Sequence, residues 1–273
     1  MQRARLNSLL AALPGIAHRA GDAIMEIYGS DFAVRGKADA SPVTEADECA
    51  ERLILADLEA LAPDIPVVSE EDASRSGLPD ITHATPLFWL VDPLDGTREF
   101  VDRNGEFTVN VALIENGVPI LGVVYAPAIK ALYTAADGIG AFFGGGDARQ
   151  PINVRSPPSA GLIVLASRSH GDEAALQSYL DRSGAKVAGI VRSGSSLKLC
   201  LVAAGEADLY PRLGRTMEWD IAAGHAVLRA AGGHVSTLDG RELAYGKRGF
   251  ENPHFVASGA GTLAGTTREN TAC

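Results

Sequence analysis

The pattern of apolar and polar positions predicts two helices in the first part of the chain. Apolar residues recur at helical spacing over residues 15–28 and again over residues 46–61. Thr44 and Asp47 fit a capping box, in which a hydroxyl group is followed three residues later by an acid. Between the two helices, residues 32–35 are typical of a short strand.

Continuous apolar runs of strand length follow these helices. They cover residues 65–69, 88–91 and 107–111. Residues 118–143 then carry three strand patterns separated by turn signals, which predicts a β-meander. We place a domain boundary near Pro151, where this first set of elements ends.

The second half of the chain alternates between strand and helix patterns. Strands are predicted at residues 162–166, 190–191 and 207–210, and helices at residues 172–182, from 197 onward and at 221–231. Asp220 stands where the N-cap of the last helix is expected. The pattern alone predicts a mixed α/β protein, with an N-terminal α+β half (residues 1–150) and a C-terminal α/β half (residues 151–273).

Composition and charge argue against several functional classes. The 273 residues are 46% hydrophobic and 21% charged, with a net charge of −10 and a pI near 5.1. Such an acidic chain lacks the bulk charge for binding a nucleic acid polymer or an anionic membrane. No apolar run approaches the ~20 residues of a membrane span, so we expect no transmembrane segment. The apolar run near the N-terminus is too short for a signal peptide, and Pro14 ends it.

Cysteine usage indicates a reducing compartment. Cys49, Cys200 and Cys273 are an odd number, and no two of them have Cys-x-x-Cys spacing. We therefore expect a cytoplasmic protein. The six histidines show no spacing typical of a zinc site.

The second of the apolar runs leads directly into an acidic turn. Asp92 and Asp95 supply hard oxygen ligands of the kind that Mg²⁺ prefers, and the Leu94 carbonyl can be a third. Backbone N–H groups at Gly96 and Thr97 can hold a phosphate where a short helix begins. The alternative is that Asp95 and Gly96 form only a turn dipeptide, and two acids alone do not decide between these interpretations.

A second acidic cluster, Glu70, Glu71 and Asp72, follows the apolar run at residues 65–69. In isolation, a solvated charge cluster is the favoured interpretation. Two strands that both end in carboxylates favour a metal site instead, because such sites gather side chains from several strand ends.

The nine residues from Asp92 to Phe100, DPLDGTREF, resemble the metal-binding signature of the inositol monophosphatase superfamily. The resemblance runs from about Ser41 to Gly233 and is strongest to the branch of bacterial 3′(2′),5′-bisphosphate nucleotidases. That branch usually has Lys where this chain has Arg98, a departure that keeps the charge and changes no ligand. The resemblance implies a layered α-β-α-β-α sandwich.

The resemblance also implies metal-assisted hydrolysis of a phosphomonoester with two or three Mg²⁺ ions. One ion would be held by Glu70, Asp92 and the Leu94 carbonyl. Another would be held by Asp92, Asp95 and Asp220. Ions about 3.5–4 Å apart would clamp the attacking water and the leaving oxygen.

Water activation is assigned by the same resemblance to Glu70 and to the pair Asp47 and Thr97. Asp47 would orient the Thr97 hydroxyl, a role compatible with its place in the capping box. The resemblance adds inhibition by Li⁺.

The substrate implied by the resemblance is adenosine 3′,5′-bisphosphate, which loses its 3′-phosphate to give AMP, a reaction of sulfate assimilation. The nearest alternative is an inositol monophosphatase. A different class is an interaction protein with a vestigial phosphatase site. The complete acidic set argues against this last class, because an idle site has no reason to keep five repelling carboxylates.

The second phosphate and the base of such a nucleotide would meet the second half of the chain. From pattern alone, His170, Ser195, Lys198 and Arg212 are more typical of surface or capping residues. The resemblance places all four around the nucleotide. The expected substrate contacts are Glu70, Leu94, Asp95, Gly96, Thr97, His170, Ser195, Lys198, Arg212 and Asp220. The resemblance leaves two further properties open, namely a homodimer and a peripheral association with the inner membrane.

Overall fold

The computed structural model describes residues 1–36, 42–79, 85–169 and 172–262. Within these ranges the chain forms seven α-helices, two β-sheets and a small strand pair. The helices are α1 Arg3–Tyr28, α2 Glu45–Leu61, α3 Glu70–Ser76, α4 Thr97–Val101, α5 Glu173–Ser183, α6 Leu197–Ala203 and α7 Glu218–Ala230. Two short 3₁₀ helices cover Pro127–Ile129 and Gly146–Ala148.

The strands form a seven-stranded sheet, a five-stranded sheet and a separate pair. The pair consists of β1 Arg35–Gly36 and β2 Pro42–Val43. The strands of the larger sheet are β3 Val67–Ser69, β4 Leu87–Asp95, β5 Thr108–Glu115, β6 Val118–Ala126, β7 Ala131–Ala136, β8 Gly140–Phe143 and β9 Gln150–Ile152. Those of the smaller sheet are β10 Leu162–Ser167, β11 Val187–Ser193, β12 Leu209–Arg212, β13 His234–Thr237 and β14 Phe255–Ser258.

The larger sheet keeps its strands in chain order, from β3 to β9. Only the pairing of β3 with β4 is parallel among these strands, and the others are antiparallel as the predicted meander requires. Trp89 and Val91 pack with α1 and α2, whereas Phe88 and Leu90 pack with α6 and α7. Because helices cover both faces, β4 is apolar at consecutive positions rather than at alternate ones.

The smaller sheet has the order β11-β10-β12-β14-β13 and mixes parallel with antiparallel pairs. Its inner face, with Tyr210 and Phe255, joins the same hydrophobic cluster as α6 and α7. Its outer face packs on α5 through Leu180. The layers are therefore α1 and α2, large sheet, α6 and α7, small sheet, and α5, which confirms the predicted α-β-α-β-α sandwich.

A single hydrophobic cluster contains residues of both halves, from Val68 in the first to Ala257 in the second. The predicted division near residue 150 into two domains stays a prediction. None of the helices in the described part of the chain combines the length and the apolarity that crossing a membrane requires.

Three local predictions differ from the structure. Helix α1 runs through Pro14, because Leu10, Leu13 and Ala17 continue one buried face on both sides of it. The strand expected at residues 32–35 begins only at Arg35, which pairs with Val43. The two acids after residues 88–91 lie inside β4 rather than in a turn.

Asp220 is not the N-cap of α7 but its third residue. Its carboxylate Oδ2 accepts a hydrogen bond from the Met217 backbone N at 2.8 Å, which is the acidic half of a capping box. The capping box predicted at Thr44 is confirmed, since the Asp47 carboxylate accepts from the Thr44 N–H at 2.7 Å.

Candidate active site

A β-bulge in β4 places Asp92 and Asp95 on one side of the sheet. Residues three apart in a regular strand point to opposite faces. Here Asp92 pairs with Asn110 and Asp95 with Thr108, so β4 contains one residue more than β5 over the same stretch. The extra residue brings both carboxylates to the same face. Pro93 fits this position, because a bulge tolerates a residue without a backbone N–H.

Three carboxylates from three elements meet beside this bulge. Glu70 begins α3 at the end of β3, Asp92 lies in β4, and Asp220 lies in the first turn of α7. One oxygen of each lies within 4.8 Å of an oxygen of the other two. These are three of the predicted metal ligands, and the fold brings them together from distant parts of the chain.

Asp95 lines the same cleft and is held by the second half of the chain. Its Oδ2 accepts a hydrogen bond from the Ser196 backbone N at 2.5 Å. The Thr108 hydroxyl and the Asn110 amide lie at 3.5 and 3.4 Å from the same oxygen. This carboxylate therefore connects the bulge in β4 to the segment that precedes α6.

When no cation is bound, the surroundings of the site disfavour the ionised form of its carboxyl groups. Burial raises the pKa of Asp95 to about 6, against the opposing charge of Lys198. Burial, together with the charges of Asp95 and Glu70, raises the pKa of Asp220 well above its usual range. Clustered and buried carboxylates of this kind are stabilised in their ionised form by a bound cation.

The residues present fit Mg²⁺. Its preferred ligands are oxygens, and it is typically bound by carboxylates together with substrate phosphates. Glu70, Asp92, Asp95 and Asp220 supply carboxylate oxygens that face one cleft. The Leu94 carbonyl lies between Asp92 and Asp95 in sequence, and its oxygen is 3.3 Å from the Thr97 hydroxyl oxygen.

Thr97 and Asp47 form the predicted pair. The Thr97 Oγ1 donates to the Asp47 Oδ1 at 3.2 Å, while the other Asp47 oxygen caps α2 by accepting from Thr44. Asp47 is 1% exposed, so its geometry is set by the protein rather than by solvent. Both roles proposed for Asp47, helix cap and Thr97 partner, are therefore present together.

Gly96 precedes α4 with a φ of 88°, in the left-handed region that favours glycine. A Cβ at this position would lie 3.3 Å from the Ser195 Cβ and 3.3 Å from the Glu106 carbonyl oxygen. Ser195 itself has a φ of 44°, a strained conformation for a residue with a side chain. The two halves of the chain thus approach closely at the edge of the cleft.

Lys198 is 4% exposed and faces the segment before α6. Its Nζ donates to the Ser195 carbonyl at 2.6 Å and to the Ser193 carbonyl at 3.1 Å, and lies 5.2 Å from the centre of the Tyr210 ring. Burial lowers its pKa to about 8, against the charge of Asp95. Lys198 therefore stabilises the loop backbone in addition to placing a positive charge beside Asp95.

The site opens into a cleft of about 530 Å³. Among its lining residues are the predicted metal ligand Asp92 and the predicted substrate contacts Glu70, Leu94, Asp95, Gly96, Thr97, Ser195, Lys198, Arg212 and Asp220. Arg212 is largely buried at the end of β12 and donates to the Arg215 carbonyl at 2.8 Å. The predicted contact His170 lies outside the described residues.

Sequence reasoning missed several residues that build the site. Asn110 accepts from the Ser196 hydroxyl at 2.7 Å and so joins β5 to the start of α6. Glu106 accepts from the Gly194 N–H at 2.7 Å and from the Arg168 guanidinium at 2.8 Å. A buried Asn in the middle of an otherwise apolar strand was an available signal, whereas nothing local marked Glu106.

Comparisons with known proteins agree with this geometry. Residues 5–271 match the model of the inositol monophosphatase family. The chain is 50% identical over 248 residues to the 3′(2′),5′-bisphosphate nucleotidase CysQ of Escherichia coli K12, an alignment that covers 89% of this chain and 96% of the relative. It is 32% identical to CysQ of Haemophilus influenzae, over 89% of this chain and 90% of that one.

Solved structures give the same result at the level of the fold. The crystal structure of CysQ from Bacteroides thetaiotaomicron superposes with a TM-score of 0.77 at 37% identity, covering 93% of this chain and 97% of that one. An inositol monophosphatase from Thermotoga maritima superposes with a TM-score of 0.73 at 29% identity, covering 89% of each chain. The resemblance seen in the nine-residue string thus extends over nearly the whole chain, which belongs to the inositol monophosphatase family.

Proposed function

We propose that this protein is a Mg²⁺-dependent phosphatase that removes the 3′-phosphate of adenosine 3′,5′-bisphosphate, giving AMP and inorganic phosphate. The observation that carries the proposal is the cluster of Glu70, Asp92 and Asp220 oxygens within 4.8 Å, in a cleft that also presents Lys198 and Arg212. The CysQ relatives, with their bisphosphate nucleotidase activity, support this choice of substrate.

The carboxylates of this chain would hold two or three Mg²⁺ ions, one through Glu70, Asp92 and the Leu94 carbonyl and another through Asp92, Asp95 and Asp220. When bound, Mg²⁺ supplies Lewis-acid stabilisation of charge on the phosphate oxygens. Substrate contacts proposed for the reacting phosphate include the Gly96 and Thr97 backbone.

Thr97 and Glu70 would orient and deprotonate the attacking water. Since the Thr97 hydroxyl donates a hydrogen bond to Asp47, the lone pairs of its oxygen can accept a hydrogen bond from the attacking water and so orient it. The Glu70 carboxylate would take up the one proton that this water loses as it attacks. Attack in line with the ester oxygen forms the new P–O bond and breaks the bond to the 3′ oxygen, which regains one proton, so that AMP and inorganic phosphate are released.

The second half of the chain would select the nucleotide. Lys198 and Arg212 bring positive charge to the cleft, and they would face the phosphate that the metal ions do not hold. Ser195 and His170 belong to the same proposed set. Li⁺ inhibition, a role in sulfate assimilation, a cytoplasmic location and a homodimer are expectations that follow from the family.

The decisive assay measures phosphate release from adenosine 3′,5′-bisphosphate and from inositol 1-phosphate, with and without Mg²⁺. We expect the bisphosphate to be the better substrate and excess chelator to abolish turnover. An inositol monophosphatase would show the opposite preference, and full activity in chelator would refute the metal-dependent mechanism.

Substrate selection is tested by Lys198→Ala, with the exposed Lys186→Ala as a matched control. Lys186 also donates to a backbone carbonyl, that of Ser159 at 3.1 Å, but it does not line the cleft. We expect Lys198→Ala to lower kcat/KM for the bisphosphate by about tenfold or more, the value of one charge-assisted hydrogen bond. Hydrolysis of a monophosphate of AMP size should change little. An equal loss on both substrates would show that Lys198 acts only through the Ser193–Ser195 backbone.

A further inference from the structure

A buried carboxylate outside the cleft, that of Glu51 in α2, is bound by three donors from the β3–α3 segment. Glu51 is 1% exposed. Its Oε1 accepts from the Ser69 hydroxyl at 2.6 Å and from the Asp72 backbone N at 2.9 Å. Its Oε2 accepts from the Arg75 guanidinium. A buried carboxylate with this many donors is held in one geometry.

These contacts lie on both sides of Glu70. Ser69 is the last residue of β3, Glu70 is the first of α3, and Asp72 is the third of α3. The Asp72 N–H belongs to the first turn of a helix, where backbone donors have no partner within the helix. Glu51 therefore caps α3 from another element and holds the chain immediately before and after Glu70.

The same helix also holds Thr97. Asp47 lies one turn before Glu51 in α2, is equally buried, and accepts from the Thr97 hydroxyl at 3.2 Å. Residues four apart share one face of a helix. One face of α2 thus presents two carboxylates, one bound to Thr97 and the other to the segment that carries Glu70.

We propose that Glu51 is a positioning residue for Glu70, and that α2 sets the distance between Glu70 and Thr97 through its two buried carboxylates. This inference rests on the proposed function, in which Glu70 binds Mg²⁺ and acts on water with Thr97. Glu51 does not line the cleft and acts through the backbone on either side of Glu70. Outer partners that orient a metal ligand typically contribute about 10–100-fold to metal affinity or activity.

The test measures the apparent Kd for Mg²⁺, obtained from the rise of Tm of the metal-free protein with Mg²⁺ concentration, together with kcat and KM. Glu51→Ala removes all three contacts. Glu51→Gln keeps an acceptor for Ser69 and Asp72 but loses the charge beside Arg75. Arg75→Met is the matched control, because it breaks the ion pair and leaves both contacts that flank Glu70.

We expect Glu51→Ala to raise the apparent Kd for Mg²⁺ by about tenfold or more and to lower kcat with little change in KM. Glu51→Gln should stay within about threefold of wild type, since it preserves the two neutral hydrogen bonds. Arg75→Met should behave in the same way. Folded Glu51→Ala with unchanged Mg²⁺ dependence would overturn the proposal, as would an equal effect of Arg75→Met.

Two further variants keep the outcome decisive. If Glu51→Ala does not fold, Ser69→Ala removes one flanking contact with little loss of volume, and an unchanged Mg²⁺ dependence in that variant refutes the positioning role.

Glu70→Gln separates this inference from the proposed function. If Glu70→Gln leaves the Mg²⁺ response intact, the metal assignment itself fails. If only Glu70→Gln weakens it, Glu51 serves the stability of the fold alone.

Discussion

Replacing Asp95 by Asn should stabilise the metal-free protein while abolishing its activity. Asp95 is partly buried in the wall of the cleft beside Lys198 and Glu99, and its desolvation there raises its pKa from 3.8 to about 6. At neutral pH the folded protein must therefore carry an ionised carboxylate in an unfavourable environment. Asn is similar in shape, has no charge, and keeps an oxygen that can accept from the Ser196 N–H.

The size of the effect follows from the pKa. A shift of about two units corresponds to about 3 kcal/mol of destabilisation when the group is ionised. The attraction between Asp95 and Lys198 is already contained in this pKa, but part of the gain is offset because Asn places an NH₂ group where Asp95 has its second oxygen. We expect a net gain of about 1–2 kcal/mol, or a rise in Tm of about 2–8 °C for a protein of this size.

The pH dependence of the Tm difference tests whether the charge of Asp95 is the cause of the stabilisation. A carboxyl group whose pKa is raised on folding contributes stability below its unfolded pKa, and this contribution is lost as the pH rises through the folded pKa of about 6. The difference in Tm between Asp95→Asn and wild type should be small near pH 4 and reach its full value above about pH 7.

The assay is a thermal melt of both proteins in chelator, followed by the same melt with saturating Mg²⁺. Mg²⁺ binds only the folded state and should raise the Tm of wild type by mass action, whereas Asp95→Asn should gain much less. A difference in Tm that does not vary with pH, or a less stable variant in chelator, would refute the electrostatic reasoning.

Three further predictions concern catalysis and packing. Thr97→Ala should lower kcat far more than it raises KM, because the proposed contact with water matters mainly in the transition state; a change confined to KM would make Thr97 a structural residue. Gly122→Ala would place a Cβ 2.5 Å from a carbonyl oxygen of α7 and should cost at least about 1–3 kcal/mol in urea denaturation, whereas Gly189→Ala, 3.5 Å from its nearest side-chain atom, should cost much less. Asp208→Ala should destabilise the protein by about 1–3 kcal/mol, because the Ile163 backbone N–H loses the acceptor that it contacts at 2.7 Å and the partly exposed Arg155 guanidinium loses its bidentate partner; a melt unchanged in Tm would contradict this.

Local sequence patterns predict most helices and strands, because the apolar positions of each element match the face that it buries in the structure. The Thr44–Asp47 capping box and the β-meander at residues 118–143 depend on neighbours in sequence, and both are confirmed. The strand predicted at residues 32–35 is wrong over residues 32–34, because a strand depends on its partner and the pairing begins only where Arg35 meets Val43. The prediction that the first helix covers only residues 15–28 misses its first part, from Arg3. The cost of the hydrogen bond missing at Pro14 is local, whereas the burial that offsets it is distributed over the whole helix face.

Of the candidate site, the residues alone predict mainly the part that lies in one short segment of the sequence. The string from Asp92 to Thr97 predicts metal ligands in β4, and the family resemblance adds Glu70 and Asp220 to the predicted set. Contacts such as Glu51 with Ser69 and Glu106 with Gly194 join residues far apart in sequence. No periodicity or propensity signals such pairs, because their chemistry is created by the fold itself.

The bulge in β4 makes the length of this segment, and not only its composition, a requirement of the site. Deleting one residue between Asp92 and Asp95 would restore the regular register with β5. Every residue of β4 on one side of the deletion would then point to the opposite face of the sheet. Side chains that now face the cleft would then face α1 and α2, and apolar side chains would take their place. Conservative substitutions in this segment are local perturbations, whereas a single-codon insertion or deletion would exchange the two faces of the strand. Sequence drift in this protein should therefore proceed by substitution at constant length between Asp92 and Asp95.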